Sequence, residues 1–248
     1  MESGSLRQYL LYAIGEIILI VVGIMIAIQL GNINQSKNES IREQRILEDL
    51  HSEMESNLIS LERIIFEKQN LISICSLFLE STGTDARWDN SENFDSLLVK
   101  TVVSGWKFNP ENGVLSELIN SGKLDLIKNK KLRYLLTSIP GHISQLQYED
   151  EMVINDLHTI YLPFLSRNYV IRNTLRYDAG VMSDQQRKRL RQISGSNFVS
   201  SPERLLQNPE FENNLNIQLL WVNFSLNLYY SLKERYKEVL ALIQEENR

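Results

Sequence analysis

The sequence predicts an all-α protein: one N-terminal transmembrane helix, then an elongated helical bundle with long antiparallel first and last helices. Three observations carry that prediction. An apolar run near the start is long enough to cross a bilayer. Beyond it, apolar residues recur at gaps of three, four or their sum, the mark of one buried helical stripe. Only five prolines and eleven glycines interrupt 248 residues, and no segment alternates apolar with polar residues as a half-buried strand does.

The apolar run is "YLLYAIGEIILIVVGIMIAIQLGN", Tyr9 to Asn32. From Tyr9 to Leu30, about 22 residues of helix rise roughly 33 Å, enough for a hydrocarbon core of about 30 Å. Tyr9 and Tyr12 stand at one end, where amphipathic rings favour the headgroup level. The run exceeds the apolar core of a signal peptide, and no small-x-small cleavage site follows it cleanly. It reads as an uncleaved single-pass anchor over residues 9–30, with residues 1–8 as a short tail. The lipid bilayer is thus the first expected partner.

Glu16 is the one carboxylate in that run. At 100° per residue Glu16, Gly23 and Ala27 fall within about 40° of one another, flanked by Ile20 and Gly31. Gly23, Ala27 and Gly31 form a small-xxx-small series, which lets helix backbones approach closely. A charged carboxylate facing lipid costs several kcal/mol, so it should face protein or water. Glu16, Ile20, Gly23, Ala27 and Gly31 are therefore expected to form an association face, toward a second copy or another membrane protein. A proton or ion relay is the sharper alternative.

Residues 31–248 are expected to form the bundle. Leu47, Leu50, Met54, Leu58, Leu61, Ile65, Ile72, Cys75 and Leu79 mark a long helix over about 35–81, ended by "STGTD". No proline separates it from the apolar run, so the two can be continuous. Shorter helices fill about 91–207. The first has Asn90 or Ser91 placed to cap it. Trp106-Lys107-Phe108 should staple the next, which takes Asn109 as N-cap and Pro110 as its first residue and stops near Ser121-Gly122. "NKKLRYLLTSI" should continue to Pro140, with the pattern resuming from His142 and kinking at Pro163. "SDQQRKRLRQI" is a short basic helix, and Ser201-Pro202 and Asn208-Pro209 are two more starts. The last helix, about 209–246, carries Leu215, Leu219, Val222, Leu226, Tyr229, Tyr236, Leu240 and Ile243 on one face. Two long amphipathic helices at the ends suggest the spine of a bundle.

"YLLYAIGEIILIVVGIMIAIQLGNINQSK" together with "LSELINSGKLDLIKNKKLRYLL" resembles an uncharacterised family of single-pass bacterial membrane proteins typical of Bacteroidetes. That family carries a "YAIGEI" membrane motif, a long charged helix and a "SGKLDLI-N" motif. It supplies no known activity and no catalytic residues. It implies a bacterial inner-membrane protein whose helical domain lies on the periplasmic side, because members carry a basic leader before the membrane helix. Here only Arg7 precedes the run, whereas Lys37, Arg42 and Arg45 follow it. Taken literally, the positive-inside rule favours the opposite orientation, although long domains translocate largely regardless of charge.

Chemistry is sparse. The net charge of −5 argues against a nucleic-acid partner. There is no glycine-rich phosphate loop, nucleophile elbow, zinc-spaced Cys/His set or kinase signature, so neither catalysis nor a cofactor is expected. Glu48 and His51 make half of a di-iron motif, but neither His142 nor His158 completes it. Arg187, Lys188, Arg189 and Arg191 are the densest basic run. With Lys128, Lys130, Lys131 and Arg133 they offer a patch for anionic headgroups or an acidic partner, against the plainer reading of a solvated face. Trp221, Phe224, Tyr229, Tyr230 and Tyr236 read as core, with a ligand pocket as the alternative. The expected function is a membrane-anchored interaction or scaffold protein. The alternative is a ligand-sensing bundle that signals through a membrane partner, which needs a closed pocket with converging polar groups.

Overall fold

A computed structural model describes residues 3–85, 87–88, 91–103, 107–177 and 183–246. Among the described residues every regular element is helical. In chain order these are α1 (Ser3–Ser81), α2 (Ser91–Val102), α3 (Gly113–Asn120), α4 (Lys130–Asp156), α5 (Leu162–Asn168), α6 (Asp184–Arg191), α7 (Pro202–Leu206) and α8 (Pro209–Glu246). A 3₁₀ turn, Lys123–Leu126, precedes α4, and a π turn, Leu157–Tyr161, joins α4 to α5.

α1 is one unbroken helix of 79 residues, roughly 120 Å long. The apolar run and the charged segment are thus a single rod. It ends where the Thr82 N–H bonds the Phe78 carbonyl at 3.0 Å and Gly83 donates to Leu206 at 3.1 Å. Gly83 has a φ of 66°, a left-handed turn that other residues rarely take.

The core of the bundle follows a repeat of four and three. On α1 its buried positions are Glu43, Leu47, Leu50, Met54, Asn57, Leu61, Ile64, Lys68, Leu71, Cys75 and Phe78. On α8 they are Phe211, Leu215, Gln218, Val222, Ser225, Tyr229, Leu232, Tyr236, Val239 and Ile243. α4 contributes Leu132, Leu136, Ile139, Ile143, Leu146, Asp150 and Val153. A mean period of 3.5 residues keeps such seams in contact when helices wind around one another with a left-handed twist. α8 runs antiparallel to both partners. It meets α1 through Glu62–Lys233 and Cys75–Gln218, and α4 through Tyr229–Asp150 and Arg235–Ser138. α1 and α8 share the largest interface, the expected antiparallel spine. At the far end the core turns aromatic, with Phe78 within 5.0 Å of Phe94 and 5.9 Å of Phe211, ring centre to ring centre.

Two local expectations are corrected. α3 starts at Gly113, not at Asn109-Pro110, and its N-cap Asn112 makes no side-chain cap bond. Asn57 holds the Glu111 backbone from both sides, taking its N–H at 2.8 Å and giving to its carbonyl at 2.6 Å, which delays the helix. α4 runs straight through Pro140 to Asp156. Pro140 is exposed, so the Leu136 carbonyl it leaves without an N–H partner lies on the side open to water, while Leu136, Ile139 and Ile143 stay in the core. At Pro163, where a kink is expected, the helical path is interrupted by the π turn just before the proline. Asn90 and Trp106, and the side chain of Ser91, lie outside the described residues.

Candidate functional site

From Gly15 on, the apolar stretch of α1 lies uncovered by the rest of the chain. It is long and apolar enough to cross a membrane, and none of its window is buried. Glu16, Ile20, Gly23, Ala27 and Gly31 are all exposed. A Cβ placed on Gly23 or Gly31 would meet nothing within 4 Å. The smallness of these residues therefore serves no packing within the chain.

The bundle holds a second constellation, buried and polar. Lys68 on α1 and Asp150 on α4 form an ion pair at 3.0 Å, with side chains only 2% and 1% exposed. The other Asp150 oxygen accepts from the Tyr229 hydroxyl at 2.5 Å. Lys68 also donates to Ser225 at 3.3 Å and sits 4.9 Å from the centre of the Tyr229 ring. Burial, and then the Asp150 charge, pushes the Tyr229 hydroxyl well above its ordinary pKa. It stays neutral and donates. All three long helices meet here, and the groups satisfy one another. The arrangement is a clasp that fixes register, a role best documented for polar residues at coiled-coil core positions.

A third set anchors the segment between α3 and α4. Glu53 accepts from the Val114 and Leu115 N–H groups at 2.7 and 3.1 Å. It caps α3 from another helix and places negative charge at its N-terminus. After α3, Gly122 turns left-handed at a φ of 69°. Glu43 then takes the Lys128 N–H at 2.6 Å and its ammonium at 2.8 Å. Asn129 caps α4 by accepting from Lys131 and Leu132. "SGKLDLIKN" is thus a hook pinned to α1 by the Glu43 carboxylate, while Glu53 fixes the start of α3 ahead of it.

Other expected groups fall apart spatially. Lys128 and Lys131 pair with Glu43 and Glu238, and Arg133 donates to the Ile127 carbonyl at 2.6 Å. These sit near residue 43 of α1. α6 packs on the 3₁₀ turn Thr174–Arg176, which packs on α2 at the other end of the bundle, roughly 50 Å away along α1. The two basic clusters form no single patch. Lys188 and Arg189 are exposed, while the side chains of Arg187 and Arg191 lie outside the described residues. His51 approaches Glu55 at 3.9 Å, His142 joins Ser138 and Arg235, and His158 is exposed. The aromatic set splits: Tyr229 and Tyr236 are core, whereas Phe224 is 62% exposed. Cys75 faces Gln218, and burial pushes its thiol up to about 12, leaving it unreactive. A cleft between Leu157, Tyr161, Ile217 and Trp221 encloses about 30 Å³, on the order of one water rather than a metabolite.

Sequence reading missed Lys68, Asp150, Glu43, Glu53 and Asn57. The detectable signal was the repeat itself: Glu43, Asn57 and Lys68 continue the four-three spacing of the apolar residues around them.

Fold and site define a class: a three-helix bundle of coiled-coil type, carried on a helix long and apolar enough to cross a membrane. The chain belongs to a family of unknown function (DUF6090), whose signature matches residues 16–163. The match opens at Glu16 and closes at Pro163, so α8 lies beyond it. No curated protein and no solved structure matches the chain.

Proposed function

We propose that this protein is a membrane-anchored helical interaction module without catalytic activity. It associates through the Glu16 face with a second copy or another membrane protein, and its bundle stands on the periplasmic side of a bacterial inner membrane. One observation carries this reading. Glu16, Gly23, Ala27 and Gly31 share a face that nothing in the chain covers, whereas the polar clasp inside the bundle is internally satisfied. A carboxyl at that depth needs a partner that a lone helix in lipid lacks.

The test is a membrane-helix dimerisation reporter carrying residues 5–34. Glu16→Gln keeps most association, because an amide still donates and accepts. Glu16→Leu weakens it by about 1 kcal/mol, within the ~0.6–2 kcal/mol range of polar contacts between membrane helices. Gly23→Ile weakens it separately by holding the backbones apart. A proton relay predicts instead that Gln is as damaging to function as Leu. Unchanged signal for both Glu16→Leu and Gly23→Ile rules out self-association through this face and leaves a different membrane protein as its partner.

A further inference from the structure

Beyond the membrane boundary, α1 has an outer face that the bundle does not use. Among the described residues after Ile33, its exposed large apolar side chains are Ile41, Ile59, Phe66 and Leu77, at 42%, 65%, 59% and 43% exposure. They are not scattered. On an α-helix Gly23, Ile41, Ile59 and Leu77 share one direction, recurring every five turns or so, and Phe66 lies about 20° from it. Glu16 lies about 20° to the other side. The core residues Leu61 and Lys68 point roughly half a turn away. α8 borders this face through Glu62–Lys233 at 2.7 Å and Gln69–Tyr230 at 2.7 Å. α3 borders the other side through Glu53. Between them the face is open.

We infer that a second copy of this chain docks along this face in parallel, so that the membrane contact continues into the bundle as an α1–α1 pair. The charges favour that occupant. Over the bundle, exposed Arg45 and Arg63 lie about 40° to one side of the stripe, and exposed Glu48 and Glu55 about 20° and 40° to the other, with Lys37 in line with Glu55 nearer the membrane. A parallel two-fold pair sets each basic flank against the partner's acidic flank, whereas an antiparallel pair sets like against like. Anchorage in one membrane permits only the parallel pair. The apolar contacts are sparse, so the pairing depends on confinement in that membrane, which raises effective concentration. The inference rests on the Glu16-face reading and extends it by about 50 Å.

Disulfide cross-linking of the full-length chain in native membranes tests it. The native Cys75 is buried and does not interfere. Ile59→Cys and Phe66→Cys should each trap a dimer, while Asn227→Cys and Gln244→Cys, exposed on α8, should not. Asn34→Cys reports the membrane contact separately. Trapping at 34 but not at 59 or 66 overturns this inference and leaves the Glu16 face standing. No trapping at any of the three overturns both. Equal trapping at the α8 positions means random collision and also overturns the inference. Making both flanks acidic with Arg45→Glu and Arg63→Glu should lower trapping at 59 by about threefold, the scale of a few exposed charge pairs. Adding Glu48→Arg and Glu55→Arg should restore it, and indifference to both changes overturns the parallel arrangement.

Discussion

Lys68 is the residue on which the three long helices converge, and its burial is nearly complete. A buried ion pair adds little net stability over a well-packed apolar core, yet losing one member leaves an uncompensated charge. Lys68→Met alone, which strands Asp150, should therefore destabilise the bundle by about 3–5 kcal/mol. Lys68→Met with Asp150→Leu should recover most of that loss, because both charges leave together. Urea unfolding of the purified chain in detergent, followed by circular dichroism, gives both numbers. Additive losses in the double variant would show that the pair is not coupled. The sequence hid this clasp for a plain reason. Lys68 stands in a stretch with Arg63, Glu67 and Gln69, where a lysine reads as solvated, and its partners lie far away in the chain on α4 and α8.

At the scale of elements, helices dominated by apolar stripes were legible and helix boundaries set by distant partners were not. The Asn208-Pro209 pair marks the start of α8, and the apolar spacing gives its buried face. By contrast α3 is delayed because Asn57 on α1 captures the Glu111 backbone ahead of it, and Glu53 on the same helix then caps its first turn. Pro140 was read as a stop because local propensity counts the lost hydrogen bond and not the packing of Leu136, Ile139 and Ile143 around it. That difference is measurable. Pro140→Ala restores one helical hydrogen bond at an exposed position and should stabilise the bundle by about 2 kcal/mol, an interior-proline penalty less the unfolded-state entropy that proline removes. A fall in midpoint instead would mean that the chain needs the interruption, for instance to set the phase of the π turn before Pro163.

The whole molecule is governed by the continuity of α1. Because Ser3–Ser81 is one helix, in the proposed membrane-spanning arrangement the side on which residue 34 emerges fixes the side of the entire bundle. α2 to α8 then fold back against its last 40 residues or so, and need no second crossing. The family signature spans the apolar stretch from Glu16 on, the pinned hook and all of α4, and ends two residues into α5. α8 completes the three-helix seam from outside that match. The proposed Glu16 face rests on small residues already visible in the sequence, and the structure leaves it exposed. The outer stripe of α1 emerged only when folding showed which apolar residues of α1 stay uncovered. Orientation then decides which partners are physically present, and the charges disagree with the family pattern, with Arg7 before the run and Lys37, Arg42 and Arg45 after it. Long domains cross largely regardless of such charges, so the periplasmic side stands as the prediction. Alkaline phosphatase fused after Glu246 should be active in cells. Fused after Thr84, just past the end of α1, it should be equally active, because no apolar segment of spanning length lies between the two points. Activity of a cytoplasm-only reporter at both sites would reverse the orientation, and opposite results at the two sites would break the single-pass topology itself.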